Sequence, residues 1–226
     1  TYVKENFPEL PLISLDRNYG FTGGYNRGLE QLRGQYEYLI LINTDVEVTP
    51  GWDQSLLEFL ANHPDYAAVQ PKIRSWKDRA YFDYAGAGGG FLDGLGYPYC
   101  RGRIWDYLEQ DAGQYDDTIQ VDWASGACLA LTAADFYAHQ GFDASFFAHM
   151  EEIDLCWRLR KSGRKIGYLG SAVVYHQGGA TLDRASAQKL YLNCRNSLSM
   201  LYKNVGVLRF AAIFLAKGFF EGLAAI

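Results

Sequence analysis

Apolar positions along this chain fall into short runs cut by glycine, proline and polar clusters, and the runs alternate between two periods. Leu12 to Leu15 is a short apolar run that predicts a buried strand, and Thr22 to Arg33 has helical spacing. Tyr38–Asn43 (YLILIN) is apolar until its last residue, which predicts a central strand buried on both faces. After Pro50, apolar residues at Trp52, Leu56, Leu57 and Leu60 predict a helix that stops before Pro64. AAVQPKI (67–73) predicts the next strand. Strand and helix in alternation predict an α/β fold with a mostly parallel sheet flanked by helices.

Residues 75–122 break this rhythm. They are rich in Gly, Tyr and Asp (DYAGAGGGFLDGLGYPYCRG) and show little periodicity. So long a stretch in a compact domain is usually functional or disordered, and its aromatics argue against disorder. Regular patterning then resumes. ACLAL predicts a strand, AADFYAHQG a helix ended by Gly141, and KIGYLGSAVVYH two short strands. EEIDLCWRLRKSG predicts an amphipathic helix with Ile153, Leu155, Trp157 and Leu159 inward, basic residues in its last turn and Gly163 as its stop. Ala185 to Ile226 predicts two helices around NVG. The second is very apolar but interrupted by Arg209, Lys217 and Glu221, so no stretch reaches the ~20 residues that span a bilayer. Its charges fall on one side, which suits either a helix lying in a membrane interface or a core or dimer helix. The domains are therefore expected as a core over 1–183 and a helical extension over 184–226.

Composition narrows the function classes. The net charge of −5 leaves no electrostatic footprint for nucleic acid. An anionic substrate would need local help from a metal ion or helix ends. Aromatics reach 15%, including seventeen tyrosines, which suits a carbohydrate or partner surface as well as a packed core. The four cysteines are widely spaced without a CxxC pair, so a zinc knuckle is not expected, and a reducing compartment fits best. TYVKENFPEL has no apolar core segment of a signal peptide, and the absence of an initiator Met suits an excised or processed piece.

Four segments could carry chemistry. INTDVEV ends an apolar strand and delivers Asp45 to the sheet's carboxyl edge, where open α/β sheets bind ligands. There it suits Mg²⁺ or Mn²⁺, with a turn-capping role as the alternative. HMEEIDLCWR crowds Glu151, Glu152 and Asp154 at a helix start. That crowding suits the helix dipole, and equally a general base whose pKa its neighbours raise. VVYHQGG puts His176 at a strand end, as a structural residue or as a partner of Asp45. NYGFTGGYNRGLEQL (18–32) packs glycines and amides between a strand-like and a helix-like run, as a tight turn or a close backbone approach to a ligand requires. It is neither a Walker A loop nor a GxGxxG fingerprint, and the chain has no GxSxG or HExxH.

Taken in order, NYGFTGGYNRGL, LILINTDVEV, WASGACLALTAADF, GFDASFFAHMEEIDLCWRLRKSGRKIGYLGSAVVYHQGG and RNSL resemble the family 2 glycosyltransferases of the GT-A fold, especially the bacterial rhamnosyltransferase-like branch. The resemblance implies a nucleotide-sugar donor (UDP or dTDP), a metal-dependent transfer with inversion, and a saccharide or lipid-linked acceptor. It places Asn18, Gly20, Gly23, Asn26, Asn43 and Asp45 at the donor, with the helix starting near Gly23 facing the diphosphate. It makes Asp45 and His176 metal ligands for Mg²⁺ or Mn²⁺, and puts Trp123, Gly126 and Ala127 at the acceptor. Glu152 is the catalytic base by position, with Glu151 left as its alternative. Arg195 and Asn196 match a family Arg-Asn pair.

Two departures qualify what the resemblance implies. Asn43 stands where the family's metal motif begins with Asp, and nothing before Leu12 supplies the family's first strand–helix–strand units for base and ribose. Without that nucleotide half, a sheet edge and apolar surface would be exposed, a route to homodimers. The leading expectation is an inverting glycosyltransferase of cell-surface polysaccharide synthesis at the cytoplasmic membrane face. The alternative is a non-catalytic carbohydrate- or nucleotide-binding module of the same fold.

Overall fold

A computed structural model describes residues 2–83, 86–105, 107–178 and 187–224, with side chains as far as Phe220. The chain runs α1 (Tyr2–Asn6), α2 (Gly20–Glu30), β1 (Tyr38–Ile42), β2 (Val46–Val48), α3 (Trp52–Asn62) and β3 (Tyr66–Ser75). Two small hairpins follow, β4 (Gly90–Leu92) with β5 (Pro98–Cys100) and β6 (Arg103–Ile104) with β7 (Tyr107–Leu108). Then come β8 (Thr118–Val121), β9 (Cys128–Thr132), α4 (Ala133–Ala138), α5 (Glu151–Lys161), β10 (Lys165–His176), α6 (Ala187–Asn204) and α7 (Val207–Ala224). The expected boundary between 183 and 184 lies outside the described residues.

The main sheet has the order β1-β9-β3-β10-β2, with β8 also on β10. Among the described residues only β3 and β10 pair in parallel; β1–β9, β9–β3, β10–β2 and β10–β8 are antiparallel. The expected mostly parallel pairing is thus corrected to a mixed sheet. β1 and β3 do run the same way across α3, as a βαβ unit requires, but β9 returns from the aperiodic stretch and slots between them. That insertion also makes YLILIN an edge strand among the described residues rather than a central one. Its residues alternate, with Leu39 and Leu41 on one face of the sheet and Tyr38 and Ile40 on the other.

Those faces carry two cores. Leu56, Phe59 and Leu60 of α3 cover Val69, Ala130 and Leu169 on one side. On the other side, Phe136 of α4, Ile153, Leu155 and Leu159 of α5 and Met200 of α6 pack against Leu41, Leu129 and Leu131. Each such fully buried side chain contributes about 1.5–3 kcal/mol. Burial also pushes the Cys128 and Cys156 thiols up to about 12, so both behave as small apolar residues.

Three further expectations change. KIGYLGSAVVYH is one strand, not two. It skips residues 170–172 where its neighbour β3 carries Pro71, which lacks an N–H for the ladder. Residues 12–15 form no strand, and Leu12 is exposed. The aperiodic stretch holds two hairpins and β8, tied to β3 by Lys72. This lysine is 2% exposed, lies 3.1 Å from both carboxylate oxygens of Asp111 and also contacts Asp116.

Candidate active site

Asp45 follows β1 on the turn into β2, and β2 pairs with the end of β10 so that Val46 lies opposite His176. This register brings His176 Nε2 to 3.3 Å from Asp45 Oδ1. The backbone adds a bond from Gln177 N–H to the Asp45 carbonyl oxygen at 3.0 Å. Asp83 closes the other side, with Oδ2 2.9 Å from His176 Nδ1. Its position comes from a bridge between Phe82 and Arg74 at the end of β3. Burial alone would lower the His176 pKa, but the hydrogen bond and charge of Asp83, joined by Asp45, outweigh it and raise the pKa.

The residues present fit a divalent cation. Two ligands at about 2.1 Å on one small ion lie about 3 Å apart at a right angle, close to the observed N···O spacing. Asp83 on the far nitrogen gives His176 the carboxylate partner that metal-bound histidines favour. Among the described residues no group of three or more His, Cys, Asp and Glu side chains could hold a metal ion. Asp45 and His176 would therefore leave the remaining positions to phosphate oxygens and water, as Mg²⁺ and Mn²⁺ sites commonly do.

The acid pair opens α5. Glu151 is 5% exposed, and Oε2 of both Glu151 and Glu152 is buried without a hydrogen-bond partner. Burial and the charge of Glu152 push Glu151 well above the ordinary carboxylate range. Burial also raises Glu152, against the opposing backbone N–H groups of Glu152, Gly126 and Ile153. Two neighbouring buried carboxyls thus resist ionising together. Just before it, Phe147 (φ 64°), His149 (φ 70°) and Met150 (φ 70°) sit at positive φ without being glycine. Each such residue costs about 1–3 kcal/mol, a strain that clusters at functional sites.

Both groups open onto one cleft of about 520 Å³. Asn43, Asp45, Asp83 and His176 line it together with Glu151, Glu152, Trp123, Gly126 and Ala127. The loops are locked to each other, since Asn43 N–H donates to the Ala127 carbonyl oxygen at 3.0 Å. Trp123 is fixed by its indole N–H on the Phe91 carbonyl oxygen at 2.8 Å, its ring against Gly90, where a Cβ would come within 2.3 Å. Arg103, His149 and Lys189 also line the cleft. Sequence reasoning missed these and Asp83, which sits in the aperiodic stretch with no pattern to mark it.

The first glycine-rich segment stands elsewhere. Asn18 Oδ1 accepts from Gly20 N–H at 2.8 Å, and Gly23 packs its Cα against Tyr19. Asn26 spends both ends of its amide on the Phe142 backbone, donating to its carbonyl oxygen at 2.6 Å and accepting from its N–H at 3.0 Å. The α2 N-terminus is occupied too: the N–H groups of Phe21 and Thr22 donate to the Phe147 carbonyl oxygen. None of Asn18, Gly20, Gly23 and Asn26 lines the cleft, although Phe21 does. In this structure these four residues and the helix end bond within the chain. The close approach that their glycines permit is made by the turn before the acid pair.

The family model described as "Glycosyl transferase family 2" matches residues 1–113, half of the chain. The chain belongs to glycosyl transferase family 2. Within this family-2 chain, 200 residues are 28% identical to an N-acetylglucosaminyl-diphospho-decaprenol L-rhamnosyltransferase of Mycobacterium tuberculosis (strain ATCC 25618 / H37Rv), covering 82% of the chain and 64% of that protein. Over 193 residues it is 23% identical to the low-salt glycan biosynthesis hexosyltransferase Agl10 of Haloferax volcanii, covering 83% of the chain and 59% of that protein. The chain thus spans under two thirds of the length of these relatives. Among solved structures, the crystal structure of GalNAc-T7 with UDP, GalNAc and Mn²⁺ superposes with a TM-score of 0.64 at 12% identity, over 89% of this chain and 38% of that one. That likeness concerns the fold alone, and makes it GT-A-like: mixed α/β with a central sheet and flanking helices.

Proposed function

We propose that this family-2 chain serves an inverting glycosyltransferase. It moves a sugar from a UDP- or dTDP-sugar to a saccharide or lipid-linked acceptor in cell-surface polysaccharide synthesis. The single observation that carries this reading is the shared cleft, which the Asp45–His176–Asp83 group and the Glu151–Glu152 pair line together. Asn43 and Asp45 take the donor, and Trp123, Gly126 and Ala127 border the acceptor. Glu152 accepts the acceptor hydroxyl's proton as that oxygen bonds to the anomeric carbon, and the bond to the diphosphate oxygen breaks on the opposite face. Asp45 and His176 would hold Mg²⁺ or Mn²⁺, which when bound supplies charge neutralisation at the leaving diphosphate. The lipid-linked acceptor is suggested by the name of the mycobacterial relative.

Titration calorimetry with UDP and dTDP, with and without Mn²⁺, tests the donor part. Binding is expected to need Mn²⁺, and Asp45→Ala is expected to weaken it about tenfold or more, one carboxylate of a sparse ligand set being lost. Equal binding by both proteins would remove Asp45 from the donor site.

We also propose that the α6–α7 hairpin contacts the cytoplasmic face of the cell membrane. Val207, Leu208, Leu215, Phe219 and Phe220 of α7 are exposed, with Lys203 and Arg209 exposed on the same hairpin and Lys217 buried. An apolar face with basic neighbours suits an anionic lipid surface. No helix among the described residues is long and apolar enough to cross a membrane, so contact would be interfacial. The chain is expected to float with vesicles containing phosphatidylglycerol, and Leu208→Glu/Leu215→Glu to remain unbound; flotation of both, or of neither, would reject the contact.

A further inference from the structure

We infer that Asn196 and Arg195 of α6 are positioning residues for the acid pair: they hold the Phe146–Met150 turn in the conformation from which α5 presents Glu151 and Glu152 to the cleft. The inference rests on the reading of that pair as the proton-accepting group.

The turn has few backbone bonds of its own, Phe147 N–H to the Ala144 carbonyl oxygen at 3.3 Å and Ala148 N–H to that of Phe146 at 2.7 Å, yet it carries three positive-φ side-chain residues in four positions. External donors hold its carbonyl oxygens. The Asn196 amide, 1% exposed, lies 3.0, 2.8 and 2.7 Å from the carbonyl oxygens of Phe146, Ala148 and His149 and donates to this cluster. Two N–H hydrogens facing three acceptors make shared bonds, so the amide's orientation matters. Arg195 fixes it, since its Nε–H donates to Asn196 Oδ1 at 2.9 Å and leaves the amide nitrogen facing the turn. Arg195 Nη2 also donates to the Ser145 and Phe146 carbonyl oxygens at 2.9 and 3.0 Å. From the opposite side, α2 gives Phe147's carbonyl oxygen the N–H groups of Phe21 and Thr22. Every carbonyl from Ser145 to His149 is therefore held from α6 or α2.

The path from clamp to carboxylates is short. Met150 precedes the first residue of α5, and Glu151 and Glu152 are the first two. The body of α5 is fixed independently. Asp154, fully buried, accepts from Asn204 Nδ2 and Lys203 Nζ, both at 2.9 Å, and from Arg158 Nε at 2.8 Å. Losing Asn196 thus releases the turn and the first residues of α5 while the helix keeps its seat. Asn204 supplies a control: it binds α6 to α5 without touching the turn.

The test compares wild type with Asn196→Ala, Arg195→Ala, Asn204→Ala and Glu152→Gln. Turnover is read as nucleoside diphosphate release, using whichever of UDP-glucose, UDP-N-acetylglucosamine and dTDP-rhamnose the wild type consumes fastest, and UDP affinity is read by titration with Mn²⁺. Asn196→Ala is expected to lower kcat about 10- to 100-fold at unchanged UDP affinity, because a misplacement of about 1 Å at a reacting group costs that much. Arg195→Ala is expected to show a smaller loss of the same kind. The acid limb of the kcat–pH profile should move to lower pH in both, as the loosened pair regains water. Asn204→Ala should lower the melting temperature and keep kcat. Unchanged kcat in both clamp variants overturns the inference, as does a loss of kcat that tracks melting temperature across all three α6 variants. If Asn196→Ala does not fold, Arg195→Ala decides alone by the same two readings. Full turnover in Glu152→Gln would reject the acid-pair reading itself, whereas an inactive Glu152→Gln beside fully active clamp variants rejects only the positioning.

Discussion

Glu152→Gln is expected to lower kcat by about 10²- to 10⁴-fold, the range that a positioned general base supplies. The amide keeps the size of the side chain but cannot accept the acceptor hydroxyl's proton. Nucleotide affinity should stay within about twofold, since a group that acts only in the transition state leaves ground-state binding alone. Both acids of the pair are raised by burial, and the charge of Glu152 adds to the rise at Glu151. Glu152 is taken as the base from its position in the sequence, so Glu151→Gln is expected to keep most of the turnover. The reverse pattern, with Glu151→Gln inactive and Glu152→Gln active, would transfer the role to Glu151.

The pH profile follows with a definite sign. A base must be ionised, and burial raises the Glu152 pKa. Turnover should therefore fall as pH drops through a value above the ordinary glutamate pKa of about 4.3. A profile that stays flat to below that value would be incompatible with a buried carboxylate base. Initial rates across pH, with each sample's fold monitored by circular dichroism, provide the measurement.

Much of this site could be read from the chain because its parts end regular elements. An apolar run that stops in Asn-Thr-Asp marks the exit of a strand whatever its neighbours are, and so Asp45 was visible. The same holds for His176 at the end of β10 and for the acids that open α5. Which strand lies beside which is a different kind of information. Periodicity reports that a residue is buried, not against what, so the insertion of β9 between β1 and β3 left no local trace. Asp83 was hidden for a related reason. A bridge to Arg74 places it, and a single bridge has no period to detect.

The glycine and amide cluster shows how a correct physical reading can meet a different partner. Glycine at 20 and amides at 18 and 26 do mark a close approach, and the backbone there is approached within contact distance. In this structure the approaching group belongs to the chain itself. Asn26 binds the Phe142 backbone, and Phe147 rests on Gly20. The spacing of donors alone cannot distinguish a ligand oxygen from a backbone carbonyl oxygen, because both ask for the same hydrogen bonds. The same ambiguity attends Arg195 and Asn196, a polar pair on a helix whose partners lie about fifty residues away in sequence.

Gly20→Ala is expected to lower both stability and turnover. Gly20 has φ +71°, where a Cβ costs about 1–2 kcal/mol. That Cβ would also come within 2.6 Å of the Phe147 ring and 3.0 Å of its carbonyl oxygen. The ring is 44% exposed and can turn outward, but the carbonyl oxygen is held in place, because it caps α2 through Phe21 and Thr22. Overpacking of this kind adds about 1–3 kcal/mol, for a total of roughly 2–5 kcal/mol. Urea denaturation should show the midpoint falling with little change in slope. Because the clash falls on the turn before Glu151, turnover measured well below the unfolding transition should fall as well, while UDP titration with Mn²⁺ should remain close to wild type. Gly24→Ala is the matched comparison: it lies one turn further along α2, with nothing within 4 Å of its Cβ position and no positive φ. Alanine there should be neutral or slightly stabilising, as it favours the helix by up to about 1 kcal/mol over glycine. Equal stability and turnover in the two variants would mean that α2 does not support the turn, and that the acid pair is held from α6 alone.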